Sequence, residues 1–264
     1  MGEERLGGLI GAASPRAPAA MRFLRRLFGF VGRRLLGFRL ELVGAENLPR
    51  DAEGRLTGGW IAAGLPHVTW IEPFVMLILL PPEPRLIWFG DGRAIYRSAL
   101  RRLAFRRLGG VVPIWPGGGP EAFTGHVDAV RQVVAAGAVF ALFPEVGVAA
   151  PVGTARPIAP GIGYFALRTG APIVPIVFGG SHELFRGRRI QMRILPPLTA
   201  LDLAGPVASQ GLPGPETSAE RKAARAIAAG LHTRTAADVA AAQQAAEPPP
   251  GARKRWRWLT HAFR

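Results

Sequence analysis

The chain has 264 residues, 48 % of them apolar, enough for one α/β domain with tails and a sizeable core. It contains no cysteine, which excludes disulfides and thiolate metal sites. Its 33 lysines and arginines against 18 acidic residues leave a net charge of +15, which points to an anionic partner, either a nucleic acid or an anionic membrane surface.

Residues 1–20 are rich in Gly, Ala and Pro and read as a disordered N-terminus. No secretory h-region is expected there, Leu6 breaks the myristoylation pattern, and no apolar run reaches spanning length. Over 21–38 the period becomes helical. Leu24, Leu27, Phe28, Val31, Leu35 and Phe38 fall on one face, and Arg22, Arg25, Arg26 and Arg33 fall opposite. An arginine face and a Phe/Leu face describe a helix lying in a membrane interface. A surface helix packed on the core is the other reading of the same pattern.

Residues 39–43 alternate like a strand, with a turn at 44–47. Strands are then expected at 60–63, 85–89, 111–114, 139–143, 173–178 and 190–195, and helices at 96–108, 125–136 and 161–169. This alternation over 39–203 predicts an α/β domain with a mixed, largely parallel sheet flanked by helices. Residues 204–216 read as a Pro/Gly linker. Thr217 and Glu220 fit a capping box that opens an Ala-rich helix over 217–246. The tail, 247–264, carries Lys254, Arg255, Trp256, Arg257 and Trp258, and reads either as a headgroup-layer contact or as a disordered basic tail.

The candidate chemistry lies at Pro66-His67-Val68-Thr69-Trp70-Ile71-Glu72. A histidine with a carboxylate partner is a general base able to deprotonate a hydroxyl near neutral pH. On a continuous helix, residues five apart point roughly 140° apart. His67 must therefore sit on a turn after the strand, with Glu72 at a helix start. No serine or cysteine occupies a nucleophile elbow, which favours direct transfer over a covalent enzyme intermediate. Gly117-Gly118-Gly119 lacks the lysine and spacing of a phosphate loop. His126 is expected in solvent, His182 on a loop, and His232 and His261 carry no expected role. No metal site is expected.

At this point the sequence resembles the glycerolipid acyltransferase family, the lysophosphatidic acid acyltransferase-like enzymes with a His-x4-Asp motif. Besides the His67–Glu72 block, the resemblance rests on Val43-Gly44-Ala45-Glu46-Asn47-Leu48-Pro49, on Phe143-Pro144-Glu145, and on the run from Pro160 to Pro175, and it covers about residues 40–200. It implies a glycerol-3-phosphate acyltransferase-like fold and an acyltransferase domain over 39–203. It implies that His67 takes the acceptor's proton, with Glu72 in place of the family's aspartate. It implies no cofactor beyond the donor substrate, acyl-CoA or acyl carrier protein. Glu145 matches the acceptor-binding motif, and Thr69 and Arg156 join it as acceptor-binding candidates. The lipid acceptor would be met at an anionic membrane surface, on the cytoplasmic face of the cell membrane, with the protein peripheral or monotopic.

The departures are specific. The family's Phe-Pro-Glu-Gly-Thr-Arg becomes Phe143-Pro144-Glu145-Val146-Gly147-Val148; Pro116 replaces a motif arginine; and Ala159-Pro160 replaces a lysine. These cations grip the acceptor's phosphate in the family, and neutral residues cannot reproduce charge-assisted contacts. Arg156 or Arg186 could substitute. The acceptor is therefore expected to differ from a simple glycerol phosphate monoester. Two other readings stay open: a catalytically impaired relative that binds lipid or acyl carrier, and a basic nucleic-acid binder. Against the latter, the sequence holds no nucleic-acid module and its arginines lie on amphipathic faces, so no nucleic acid is expected as partner.

Overall fold

The computed structural model describes residues 15–91, 110–114, 119–146, 154–206, 217–248 and 254–261. The helix expected over 96–108, Trp115 to Gly118, and most of the expected linker lie outside them. The strands are β1 (Arg39–Val43), β2 (Ile61–Leu65), β3 (Leu86–Asp91), β4 (Val111–Ile114), β5 (Val139–Leu142), β6 (Ile173–Gly179) and β7 (Arg189–Ile194). They form one sheet in the order β1-β7-β6-β2-β5-β3-β4. Every neighbouring pair is parallel except β6 with β7. The mixed, largely parallel α/β architecture read from the sequence is the one observed.

The central strands β2 (IAAGL) and β6 (IVPIVFG) are buried at every residue. This explains why their sequences run apolar instead of alternating: both faces of a parallel sheet are covered. One face carries α2 (Ile71–Leu79), whose Ile71, Val75 and Met76 pack with Trp60, Phe178 and Met192. The other face carries α3 (Gly119–Ala135), α4 (Gly161–Thr169) and α6 (Ser218–Ala245), which bring Val130, Phe165, Ile227 and Leu231 onto Ile61, Phe140 and Ile173. Each such fully buried side chain adds about 1.5–3 kcal/mol of burial free energy. Helix α4 approaches α6 closely because position 163 is glycine; a Cβ there would overlap the Ala224 backbone. A short helix α5 (Ala200–Ala204), capped reciprocally by Thr199 and Asp202, was not anticipated.

Three expectations change. Helix α3 begins at Gly119, not at 125. The expected capping box is half made: Thr217 accepts from the Glu220 N–H, but the Glu220 carboxylate turns to Arg168, with Nη2 to Oε2 at 2.6 Å. The N-terminal helix, α1 (Ala19–Phe30), continues as a π-helical turn over Val31–Leu35. It lies outside α2, with Phe28 edge-on to Phe74 at 5.0 Å. No residue of α1 is buried. Phe23, Leu27 and Phe30 face outward, 65 %, 41 % and 58 % exposed. Arg25, expected on the polar side, turns inward, and its Nε donates to the Ile78 carbonyl at 3.1 Å. No helix among the described residues is long and apolar enough to cross a membrane.

Candidate active site

The parallel pairing of β2 with β5 and β6 sets their carboxyl ends side by side, with Ala63 opposite Leu142 and Leu65 opposite Val177. The next residues of each strand therefore share one edge: His67 after β2, Glu145 after β5, Ser181 after β6. In open α/β sheets this edge is where ligands bind.

His67 lies on the turn and Glu72 in the first turn of α2, as the spacing required. His67 Nδ1 is 3.2 Å from Glu72 Oε2. Glu72 is wholly buried, while the His67 side chain is 40 % exposed. The carboxylate also accepts the Thr69 N–H, at 3.0 Å to Oε1 and 3.1 Å to Oε2, and faces the Thr69 hydroxyl at 3.1 Å. Three donors thus surround two oxygens. A carboxylate only accepts, so the Nδ1 proton faces Glu72, and Nε2 lies on the side of the ring turned away from it.

The imidazole lies flat on Phe143, centroids 4.2 Å apart at 23°. An aromatic face favours an imidazolium above it. Phe143 fits there because β2 offers Gly64 beneath it; a Cβ at 64 would overlap the Phe143 ring. A glycine inside the buried strand IAAGL was the available signal for this close approach.

Glu145 does not reach the ring. Its Oε2 accepts the His67 backbone N–H at 2.8 Å, and its Oε1 accepts the Arg156 N–H at 3.4 Å. It ties the histidine turn to the end of β5. Thr69 also serves the turn: its hydroxyl lies 3.1 Å from both Glu72 Oε1 and the Ser181 carbonyl, and its single proton serves one at a time. Arg156 is buried, with its backbone on Glu145. Arg186 stacks its guanidinium over Trp256, 5.0 Å from the centroid. His126, expected in solvent, is half-buried with its ring edge-on to Phe89 at 5.5 Å, and burial lowers its pKa. His182 sits between Arg188 (3.4 Å) and Glu247 (3.3 Å); burial first, then the Arg188 charge, pushes its pKa down.

Beside the dyad, an apolar cavity of about 360 Å³ runs between α1 and α2, lined by Phe28, Val31, Leu36, Trp70, Phe74, Trp258 and Leu259 among others. Trp70 belongs to the turn that joins His67 to Glu72. Along α1 and its π-helical turn, an arginine cleft of about 450 Å³ gathers Arg22, Arg25, Arg26, Arg33 and Arg34 around Gly29, Phe30, Ile78 and Pro82.

A seven-stranded, mostly parallel sheet with helices on both faces and a polar turn at the carboxyl ends of its strands defines the class of fold. The chain is similar in structure to the 1-acyl-sn-glycerophosphate (LPA) acyltransferase PlsC from Thermotoga maritima, at a TM-score of 0.51 and 15 % sequence identity, over 81 % of this chain and 80 % of that one. The mixed, largely parallel α/β fold flanked by helices that was expected is the fold observed, and the two structures share it. No family model matches the chain, and no curated protein matches it in sequence.

Proposed function

We propose that this chain is an acyltransferase of the glycerolipid type, which moves a fatty acyl group from acyl-CoA or acyl carrier protein to a hydroxyl of a lysophospholipid-like or other lipid acceptor. The arrangement that supports this most is a histidine whose Nδ1–H is held by a buried carboxylate, leaving Nε2 open, beside a cavity lined by apolar side chains. In the proposed step Nε2 takes the acceptor's hydroxyl proton as the oxygen bonds to the thioester carbonyl carbon. The carbon–sulfur bond then breaks, and the imidazolium returns its proton to the leaving thiolate. Glu72 stabilises the imidazolium, and the Phe143 face adds to this. The apolar cavity would hold the acyl chain and help exclude water that would otherwise hydrolyse the thioester. Thr69 and Glu145 act as positioning residues for the turn.

The test is incubation of the full chain with labelled acyl-CoA and, separately, acylated carrier protein, against lysophospholipids and neutral lipid alcohols. Transfer to at least one hydroxyl acceptor is expected. The missing motif cations predict that lysophosphatidic acid is a poor acceptor. Robust acylation of it, undiminished by Arg156→Ala and Arg186→Ala, would show that the phosphate is gripped in another way.

Membrane association belongs to the same proposal. The outward Phe23, Leu27 and Phe30 supply apolar insertion, and the arginine cleft beside them supplies charge complementary to acidic headgroups. Sedimentation with phosphatidylglycerol vesicles but not with phosphatidylcholine vesicles is expected, and Phe23→Ser/Leu27→Ser/Phe30→Ser should leave the protein in the supernatant. Retardation of DNA in a gel without vesicle binding would favour the nucleic-acid reading instead.

A further inference from the structure

The arginine cleft along α1 is a hollow of about 450 Å³ with five guanidinium side chains and, among the described residues, no carboxylate on its walls. We propose that it binds an anion carrying two phosphates on one short linker, with Arg25 and Arg26 at one end, Arg33 and Arg34 at the other, and the linker over Gly29. The head of a diphosphatidylglycerol lipid has this chemistry. So does soluble coenzyme A, whose ribose joins a 3′-phosphate to a diphosphate. The site asks for more than general attraction to an acidic membrane, and its occupancy is measured without acyl transfer.

The charge of the cleft is not balanced within the protein. Arg22 lies 3.5 Å from Glu83, and its Nη1 also donates to the Ala17 carbonyl at 2.8 Å. Among the described residues, Arg25, Arg26, Arg33 and Arg34 have no carboxylate within ion-pair distance. Arg25 is fixed in the wall, its Nε on the Ile78 carbonyl at 3.1 Å. Its pKa is lowered, first by burial and then by the Arg33 charge. Four like charges around one hollow repel each other until an anion enters. Arginine forks grip phosphate bidentately, so two pairs of forks suit two phosphates. From Arg26 to Arg33 the axis rises about 10 Å, which suits phosphates held apart by a linker better than a single one.

Two irregularities of the helix shape the hollow. On an unbroken α-helix Arg34 would lie about 80° round the axis from Arg26. The π-helical turn, closed by the Leu36 N–H on the Val31 carbonyl at 2.9 Å, takes fewer degrees per residue and brings Arg34 to the cleft beside Arg33. Such turns are rare and concentrate at functional sites. The second irregularity is Gly29, inside α1, where glycine is the poorest helix former after proline. A Cβ there would sit in ordinary contact with Ile78 Cγ2, at 3.6 Å, so close packing does not demand a glycine. Its missing side chain leaves the room between the two arginine pairs.

The setting favours a lipid as the source. Phe30 lines the cleft and points outward, as do Phe23 and Leu27 on the turns before it. With those side chains inserted, the cleft opens to the phosphate layer of the bilayer. Ile78, which borders the cleft and anchors Arg25, belongs to the last turn of α2, and Glu72 to the first. A head held in the cleft therefore bridges α1 to the helix that carries the buried carboxylate.

The test compares phosphatidylcholine vesicles doped with diphosphatidylglycerol or with phosphatidylglycerol at equal total charge, and titrates coenzyme A calorimetrically without lipid. The full chain should bind the diphosphatidylglycerol vesicles about tenfold more tightly. Arg26→Lys/Arg33→Lys/Arg34→Lys, at three exposed positions, keeps every charge but loses the forks, and should bring the ratio to about one. Gly29→Leu fills the hollow, keeps all five arginines and should do the same. Lys222→Gln/Arg225→Gln removes two exposed charges from α6 and should leave the ratio unchanged. Saturable coenzyme A binding without a lipid preference, lost in the same variants, would assign the site to the soluble source. Equal binding to both vesicles with no coenzyme A binding would overturn the two-phosphate site. A preference retained in the lysine variant and in Gly29→Leu would overturn its place in the cleft. Neither readout involves acyl transfer, so each reading stands or falls without the other.

Discussion

Glu72→Gln should silence the site nearly as fully as His67→Ala, although it changes a single atom of the side chain and leaves its volume alone. The reason lies in the donor count around the carboxylate. Oε1 faces the Thr69 N–H and hydroxyl, and Oε2 faces His67 Nδ1 and again the Thr69 N–H. A glutamine offers one oxygen, which satisfies the two Thr69 donors best from the Oε1 position. Its NH₂ then faces Nδ1, and two donors cannot share that contact. The imidazole responds by moving its proton to Nε2 and accepting at Nδ1. The atom that should take the acceptor's proton is then already protonated, a tautomer fault that costs about 10⁴-fold in hydrolases with the same histidine–carboxylate logic. Loss of the base outright, in His67→Ala, should lower kcat/KM by about 10²–10⁴-fold. Steady-state rates on the acceptor found for the wild type give the comparison, and ¹⁵N NMR of the His67 ring reports the tautomer directly. Near-wild-type turnover in Glu72→Gln, or an Nδ1–H ring in that variant, would sink the assignment of Nε2 as the base.

The dyad was legible because it is local. Five residues, a preceding strand and a following apolar run force a turn into a helix start, and both side chains then meet over 3.2 Å. What supports the dyad was not legible, because it depends on which strands are neighbours. Glu145 reaches the His67 N–H only because β5 pairs with β2, and Ser181 reaches Thr69 only because β6 pairs with β2 on the other side. The expected acceptor-binding candidates Glu145 and Thr69 both lie at the site, and their contacts within the protein, to the His67 turn, were not foreseen. The amphipathic helix read from the sequence is present as α1, but its apolar residues are shared between two sides. One apolar face was read, but a helix that touches the domain on one side and solvent on another divides its apolar residues between them. Gly29 and Gly32, with no side chain to register in the pattern, mark the contact side, where Arg25 also turns. The start of α3 was hidden by Gly119-Pro120, which reads as a loop even though proline is tolerated in a helix's first turn. The tail read as a headgroup-layer contact or a disordered basic tail because the counter-ion of Lys254 and Arg257, Glu183, is about seventy residues away in the chain.

Breaking the ion pair between Arg168 and Glu220 should produce the largest stability loss available outside the central sheet. Glu220 is 2 % exposed and Arg168 12 %, and their side chains meet twice, through Nε and Nη2. The pair joins the last turn of α4 to the first turn of α6, beside the point where Gly163 lets the two backbones approach. Glu220→Ala leaves a guanidinium in that contact with no carboxylate and should destabilise the fold by about 3–5 kcal/mol. For a chain of this size that is roughly a 10 °C fall in Tm, read by thermal or urea unfolding. The penalty comes from removing a carboxylate that a buried guanidinium meets twice, not from the value of the pair itself. Arg168→Met/Glu220→Leu, which removes both charges and keeps the volume, should therefore recover most of the loss. A double variant no more stable than Glu220→Ala would show that the pair contributes by its own attraction. In either case the damage lies on the sheet face opposite α2, away from Glu72 and Trp70. Well below the transition, Glu220→Ala should keep the acyl-transfer rate of the wild type, which separates what holds the domain together from what holds the site.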